Sequence, residues 1–362
     1  MKTIVALGTE NKTSFSVVSK GNLFTSGAFC QLSDVDKFNE YEKAIKSHLA
    51  SEKVKPDVIV CDMHPDYAST ALAETLFSHN KKSRLMKVQH HFAHIVSAIT
   101  DNAIKGKVIG VSFDGTGYGD DGNLWGSEFL ICDKKSYTRK HHLEYVAIPG
   151  GDIAISQVWR MALSYLYHAY GEGFTDVNTP LLKRIQKEKV KIIKEMLVKK
   201  INSPLSSSAG RLFDAVSSLT GLCDVAKSEA EGAMLLEKIA DLKITDTYSY
   251  VVDRERIIVS RMIKEIDEDI NNGAALSFVS AKFHNTVGEI IYDVSSRIYR
   301  ETGIDKVLVS GGCFQNRYLV DYIENKFTGS KLKLYKHKNF PTTDMNISIG
   351  QAIVAASAAG DE

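Results

Sequence analysis

Residues 108–122 read VIGVSFDGTGYGDDG, and residues 4–18 read IVALGTENKTSFSVV. Each is an apolar β-branched run, then a turn containing Gly and Thr, then sequence that returns as a second strand. Two such openings in one chain predict two lobes of like construction with a nucleotide held between them. Around the first opening the pattern continues as a meander through Leu23–Thr25. A helix follows with apolar positions at Phe38, Tyr41, Ala44, Ile45 and Leu49. A buried strand Val58–Cys61 then leads through Asp62–Tyr67 into a helix over Ser69–His79. Strand, loop and helix alternating in this way is α/β.

Around the second opening, Leu130–Cys132 and His142–Ile148 read as further strands. From Ala154 to Ile239 the pattern is mostly helical, broken at Gly171–Pro180 and Asn202–Ser208. Residues 245–262 read as strand-like, and Ala274–Arg300 as one long helix. Val307–Val309 is a short buried strand, Leu332–Tyr335 a last one, and Ser348–Ala359 a closing helix. The expected division is residues 1–105 for the first lobe and 106–362 for the second, with the closing helix folding back on the first.

Composition excludes several classes. The 362 residues carry 45 basic and 44 acidic side chains, a net charge of +1, with 44% hydrophobic and 25% charged residues. That balance gives no overall nucleic-acid footprint. Residues 183–200 are locally basic, and Val190, Ile192, Ile193 and Leu197 read as the apolar stripe of a helix with a solvated lysine face. The five cysteines form no C-x-x-C pair and lie far apart, which argues against a disulfide framework or cysteine zinc site. No signal-peptide core and no run long enough to span a membrane is present, so the expected location is the cytoplasm.

The chemistry sits in four places. His90 and His94 are four apart, on one face of a helix, where two imidazoles can share a metal; His91 can also pair with His94, and polar histidines at a helix start are the plain alternative. Asp114-Gly115-Thr116-Gly117-Tyr118-Gly119 ends an apolar strand, so its backbone N–H groups can approach phosphate; a Gly-rich hairpin is the alternative. Ser310-Gly311-Gly312 lets an adenine or ribose lie against bare backbone, with Asn316 near, or is simply a tight strand-to-helix turn. Asp344 precedes the closing helix as a fourth metal donor or as a cap. Two His and two carboxylates suit iron, manganese or zinc. Asp120 and Asp121 read as loop acids, and Trp125 and Trp159 as packing residues. No Cys-His or Ser-His-Asp pattern offers a nucleophile within the chain.

Three glycine turns in two meander lobes resemble the actin/sugar-kinase/Hsp70 nucleotide-binding fold. A more specific resemblance runs along the whole chain. It is carried by Asp62-x-His64-Pro65-x-Tyr67, Gln89-His90-His91-Phe92-Ala93-His94, Phe113–Gly119 with Asp121–Gly126, and Pro149-Gly150-Gly151-Asp152. Trp159–Leu163, Ser207–Val216 and Ser310–Arg317 extend it. These resemble the C-terminal domain of the hydrogenase maturation carbamoyltransferase HypF, a relative of the tRNA threonylcarbamoyl-adenosine and antibiotic O-carbamoyl transferases. The resemblance implies a metal on His90, His94, Asp114 and Asp344, with His90, His94 and Asp114 catalytic. It implies a phosphate loop at Gly115, Thr116, Gly117 and Gly119, adenosine contacts at Gly311, Gly312 and Asn316, and ribose-side residues Gly210 and Asp214. Asn11 and Lys12 fall in the first phosphate-side turn.

The implied reaction moves a carbamoyl group from carbamoyl-adenylate, made from ATP and carbamoyl phosphate, to the cysteine thiol of an acceptor protein. The implied metal is iron or zinc, with magnesium on the nucleotide. The family's adenylate-forming part has no counterpart in the resemblance, so a separate protein is the expected donor. Three departures stand out. Ala6-Leu7-Gly8-Thr9 lacks the acid that kinases of the fold carry, which argues against kinase activity. Asp344-Met345-Asn346 replaces Asp-Gly-Gly, and residues 26–31 differ from the usual Ser-Gln-His segment, so the acceptor is open. The alternatives are an O-carbamoyl- or threonylcarbamoyl-type transferase, or a non-catalytic nucleotide-binding scaffold.

Overall fold

The computed structural model describes residues 2–360. The first opening folds as expected into antiparallel strands β1 (Ile4–Ala6), β2 (Ser16–Ser19) and β3 (Asn22–Thr25). Helix α1 (Val35–Ser51) starts where Asp34 accepts hydrogen bonds from the backbone N–H groups of Asp36 and Lys37. It buries Tyr41 and Ile45, and the Tyr41 hydroxyl donates to the Leu7 carbonyl at 2.6 Å. Strand β4 (Val58–Asp62), helix α2 (Ala68–His79), strand β5 (Arg84–Val88) and helix α3 (His90–Asp101) follow. The sheet order is β3-β2-β1-β4-β5, with β4 parallel to β1 and β5 parallel to β4.

The second half repeats this plan with insertions. Strands β6 (Val108–Tyr118), β7 (Leu124–Cys132) and β8 (Tyr137–Leu143) form its meander. The insertion comprises β9 (Val146–Ala147), α4 (Ile153–Ser156), α5 (Trp159–Tyr170), α6 (Pro180–Arg184), α7 (Lys187–Lys199), β10 (Leu205–Ser206) and α8 (Ala209–Leu219). It continues with α9 (Glu231–Ile239), β11 (Val251–Asp253), β12 (Arg256–Ile258), α10 (Ser260–Asn271) and α11 (Leu276–Thr302). Then come β13 (Lys306–Ser310), α12 (Arg317–Phe327), β14 (Lys333–Tyr335) and α13 (Ile347–Ala359). The central order is β8-β7-β6-β13-β14, again a meander extended on its first-strand side by parallel strands. The chain has the expected α/β, two-lobed actin/sugar-kinase/Hsp70 architecture.

Helices α3 and α13 each follow the last strand of their sheet in chain order, β5 and β14, and they pack against one another. Between the sheets, Ile4, Val58 and Val60 from one side and Val108, Leu130 and Leu308 from the other join Phe92, Val96 and Val354 in one core. The helices touch backbone to backbone: a Cβ on Gly350 would lie 1.9 Å from the Ala93 carbonyl oxygen. Only glycine permits that approach. α13 also lies along β1, β2 and β4.

Several local expectations need correction. β6 does not stop at Phe113 but runs through the glycines to Tyr118, with its register against β7 shifting between Phe113 and Gly117. Such a bulge re-aims side chains and absorbs residues that fit a regular ladder poorly. Residues 142–148 are split between β8 and β9, and residues 245–262 hold only the short β11 and β12 before α10 begins. In α7, Val190, Ile193 and Leu197 are buried, but Ile192 is 57% exposed and lies off the stripe. Among the described residues, no helix is long and apolar enough to cross a membrane.

Candidate metal and nucleotide site

The site is built on the first turn of α3. Gln89 caps that turn by accepting from the Phe92 N–H at 2.9 Å, and its amide donates to the Tyr118 carbonyl at 3.1 Å. The cap therefore ties the helix start to the end of β6. His90 and His94, one helical turn apart, are both fully buried on the face that meets β6 and the start of α13.

The two Nε2 atoms converge. Each lies 3.2 Å from Asp114 Oδ2, and Asp344 Oδ1 is 3.8 Å from His90 Nε2 and 3.7 Å from His94 Nε2. One donor atom from each of the four residues falls within 4.8 Å of every other. Donors about 2.1 Å from a common ion stand about 3.0–3.4 Å apart, a range that the two Asp114 distances meet, while Asp344 would have to draw in by a few tenths of an ångström to share the same cation. The opposite ring nitrogens are held too. His90 Nδ1 lies 2.9 Å from Asp62 Oδ2, and His94 Nδ1 lies 3.0 Å from Asn346 Oδ1. Acceptors there place the ring protons on Nδ1 and leave both Nε2 lone pairs facing the centre, as metal-ligating histidines require. The donor set thus fits iron or zinc.

Without an ion, the charges compensate one another. Burial alone would strip the proton from His90, but the Asp114 and Asp62 carboxylates outweigh it and hold the imidazole well above its ordinary range. His94 is raised in the same way, against burial, by Asp114 and Asp344. Asp114, buried as well, is carried well below the usual carboxylate range by the two imidazoles. His91 faces elsewhere: its Nδ1 meets the Gln89 amide at 3.1 Å, and burial pushes it well below the usual range. It does not join the cluster.

The glycines sit around Asp114. Its Oδ1 accepts from the Gly312 N–H at 3.0 Å, and a Cβ on Gly312 would stand 2.9 Å from that oxygen. Gly311 has φ +107°, and a Cβ there would meet the Phe113 carbonyl oxygen at 2.3 Å. A Cβ on Gly117 would strike the His90 ring at 2.8 Å, and one on Gly119 the Trp125 indole at 2.0 Å. Gly210 approaches the Gly115 Cα, because Ser208 caps α8 and also donates to the Asp114 carbonyl at 3.2 Å. Thr116 is partly exposed beside Gly115. Asp214, buried beside the Arg211 guanidinium at 2.8 Å, has its carboxyl raised by burial. Burial pushes the Cys313 thiol up, and the Asp114 charge adds to that rise. Asn316 is already committed: its Oδ1 caps α12 through the Leu319 N–H, and its Nδ2 donates to His284 Nε2 at 2.9 Å. Lys12 pairs with Glu229 at 2.9 Å on the surface.

Sequence profiles of known families match in two blocks: the HypF Kae1-like domain over residues 1–101, and the second subdomain of the carbamoyltransferase Kae1-like domain over residues 110–351. The chain belongs to the HypF carbamoyltransferase family. The probable carbamoyltransferase HypF of Methanocaldococcus jannaschii is 31% identical over 357 residues, which are 97% of this chain and 46% of that protein. The carbamoyltransferase HypF of Synechocystis is 28% identical, matching 99% of this chain and 48% of its own length. The chain therefore spans about half of these two HypF proteins. A carbamoyltransferase HypF homolog of Cupriavidus necator is 28% identical and matches over 98% of this chain and 91% of its own length. A crystal structure of full-length HypF in a phosphate- and nucleotide-bound form superposes with a TM-score of 0.91 at 36% identity, over 98% of this chain and 55% of that one.

Three contributors escaped the sequence reading. Asp62 lies in one of the family-like motifs, and its position at the end of a buried strand is the available signal. Asn346 is visible in the sequence only as a departure from the family pattern. Tyr67, whose ring stacks on His64 with centroids 4.1 Å apart, has its hydroxyl held well above the ordinary range by burial first and then by the charges of Asp62, Asp344 and Asp114.

Proposed function

We propose that this chain is a metal-assisted carbamoyl transfer domain that takes carbamoyl-adenylate and passes the carbamoyl group to a protein cysteine thiol. The supporting observation is the convergence of four donors from three parts of the fold, with both imidazoles held at Nδ1 so that Nε2 faces inward. His90, His94, Asp114 and Asp344 would hold the ion, which when bound supplies a Lewis acid that polarises a carbonyl or phosphoryl oxygen.

The chain's own groups do the rest. Asp62 and Asn346 keep the histidine nitrogens aimed. Gly115, Thr116 and Gly117 offer backbone beside Asp114, whereas the Gly119 N–H already donates to the Asn123 carbonyl at 2.9 Å. Gly210, Asp214, Gly311 and Gly312 would line the side assigned to adenosine, with Asn316 bracing that side through α12 and His284. As the carbamoyl–phosphate bond breaks, charge develops on the departing AMP, where fixed N–H dipoles are most effective. Asp114 anchors the Gly312 N–H and so fixes the turn beside that charge. The nucleophile is external: Cys61 and Cys132 are buried, with thiols that burial pushes up, Cys61 to about 12 and Cys132 further, and the exposed Cys30 belongs to none of the groups assigned to the site.

The donor would come from an adenylate-forming partner or domain outside these residues, in the cytoplasm. The test is incubation of the iron- or zinc-loaded chain with ATP, carbamoyl phosphate, an adenylate-forming partner and a cysteine-ended acceptor peptide. Release of AMP with a carbamoylated peptide is the expected result. Loss of both in His94→Ala supports catalysis at this site. A His94→Ala protein that still transfers the group, or a wild-type chain that binds adenylate but never transfers, sinks the proposal in favour of a scaffold.

A further inference from the structure

His90 and His94 are aimed by unlike groups. A carboxylate, Asp62, meets His90, whereas an amide, Asn346, meets His94. An amide has a donor end and an acceptor end, so it specifies a tautomer only if its own orientation is fixed. Asn346 Nδ2 lies 2.8 Å from the Pro341 carbonyl, which can only accept. The amide nitrogen therefore faces Pro341 and its oxygen faces His94. That oxygen only accepts, so His94 always donates through Nδ1, and in the neutral ring its Nε2 is left bare, as an ion would need.

The constraint extends further. Asn346 Nδ2 also approaches His337 Nε2 at 3.2 Å, and the Ser310 hydroxyl lies 2.9 Å from the same nitrogen. With Nε2 accepting, His337 Nδ1 donates toward Asp101 Oδ2 at 3.3 Å. Burial takes His337 down to about 4, which agrees with a neutral ring. Asp101 in turn accepts from the N–H groups of Lys338, Asn339 and Phe340. Those residues begin the segment that leads to Asp344, while Asp101 is the last residue of the helix that opens with His90.

We infer that Asn346 is a positioning residue of the ion site. It locks His94 in its Nδ1–H tautomer and, through His337 and Asp101, ties the segment bearing Asp344 to the far end of α3. This rests on the ion-site reading above. Asn346 stands where the resembled pattern has glycine, which has no side chain to do this. Ser310 Oγ, 3.3 Å from His94 Nδ1, is the competing acceptor.

The full chain, wild type and variants, would be assayed for zinc affinity by chelator competition. Histidine ¹⁵N shifts of the metal-free protein at alkaline pH would report the tautomers. Asn346→Ala should weaken zinc binding by about 10–100-fold, the usual cost of losing such a partner, and His94 should no longer hold one tautomer. Ser310→Ala, a mild change that keeps the amide, should leave the Nδ1–H tautomer in place. Wild-type affinity and tautomer in Asn346→Ala, or a shifted His94 tautomer in Ser310→Ala, overturns the inference in favour of Ser310. A wild-type chain that takes up no zinc overturns the ion site instead, and the metal-free shifts still decide the role of Asn346.

Discussion

The two halves share one topology but use their first turns differently. In the first half, β1 runs out into Leu7-Gly8-Thr9, and backbone groups of Gly8 and Thr9 are spent on the fold. Gly8 N–H donates to Gln351 Oε1 at 2.8 Å, Gln351 Nε2 returns a bond to the Gly8 carbonyl at 3.1 Å, and Thr9 N–H donates to Thr13 Oγ1. In the second half, β6 carries Asp114 at the corresponding place, aimed at His90 and His94. The helices divide the work in the reverse sense. α3 of the first half supplies both nitrogens, and the approach to α13 of the second supplies Asp344 and Asn346. The repeated plan thus yields one site rather than two: the first turn spends its backbone on the fold and reaches the site only through the Thr9 hydroxyl, which donates to Asp344 Oδ2 at 3.4 Å, and the site lies where the open turn meets the other half's helix.

The sharpest way to break this comparison is to remove the residue that makes the halves unequal. Asp114→Ala should abolish ion binding and slow carbamoyl transfer by about three decades. Losing a Lewis acid forfeits several kcal/mol of transition-state stabilisation, and each 1.36 kcal/mol is tenfold. Zinc retention by Asp114→Ala, measured by metal analysis after desalting, would mean that the turns are not so unequal. Next in size is the contact on which the halves meet. Gly350→Ala places a Cβ 1.9 Å from the Ala93 carbonyl oxygen, so α3 and α13 must part. Overpacking of this kind costs about 3 kcal/mol, read as a lower urea midpoint at unchanged slope. An unmoved midpoint would show that the helices slide freely.

Much of this was legible because the deciding residues are short-range patterns. A β-branched run such as Val58–Cys61, or two histidines one helical turn apart, reports its neighbours by periodicity alone. The motif resemblance then linked Asp114 and Asp344 to the histidines across the chain. What escaped was either weakly patterned or long-range. Arg84–Val88 reads charged, apolar, apolar, charged, apolar at the sheet edge, so neither alternation nor burial marks it as a strand. The glycines of residues 115–119 hid the continuation of β6, since glycine has poor strand propensity. α10 was masked by the apolar run Ile257-Ile258-Val259 just before it, although Met262, Ile263 and Ile266 carry helical spacing. Asp62 reaches His90 across 28 residues, and Asn346 reaches His94 across 252. No local pattern encodes a hydrogen bond over such separations.

A smaller effect tests the closed turn. Gln351→Ala leaves the buried Gly8 N–H and carbonyl without their partner, which costs about 2 kcal/mol. Zinc affinity should stay at the wild-type level, because Gln351 touches none of the four donors. A fall in affinity larger than threefold would show that the first turn also shapes the site, and the contrast between the halves would weaken.

The last effect is a slope in pH, and its sign separates the metal-free from the metal-loaded chain. His90 and His94 have folded-state values raised above their ordinary 6.5 by neighbouring carboxylates, despite burial. Their contribution to stability is fully present below pH 6.5 and is lost as the pH rises through the folded values. Asp114 is lowered from its ordinary 3.8, so its contribution is present above that value and is lost only on deeper acidification. The chelator-treated protein should therefore be most stable between about pH 4 and 6.5. Above that window it should lose at most about 1.4 kcal/mol per pH unit for each imidazole. An ion requires the neutral rings and displaces those same protons, so its binding strengthens over the same interval. With saturating zinc, the decline from pH 7 to 9 should flatten or reverse. Parallel slopes with and without zinc, measured by urea unfolding, would place the titrating protons somewhere other than the four donors, and the open turn of the second half would lose its assigned role.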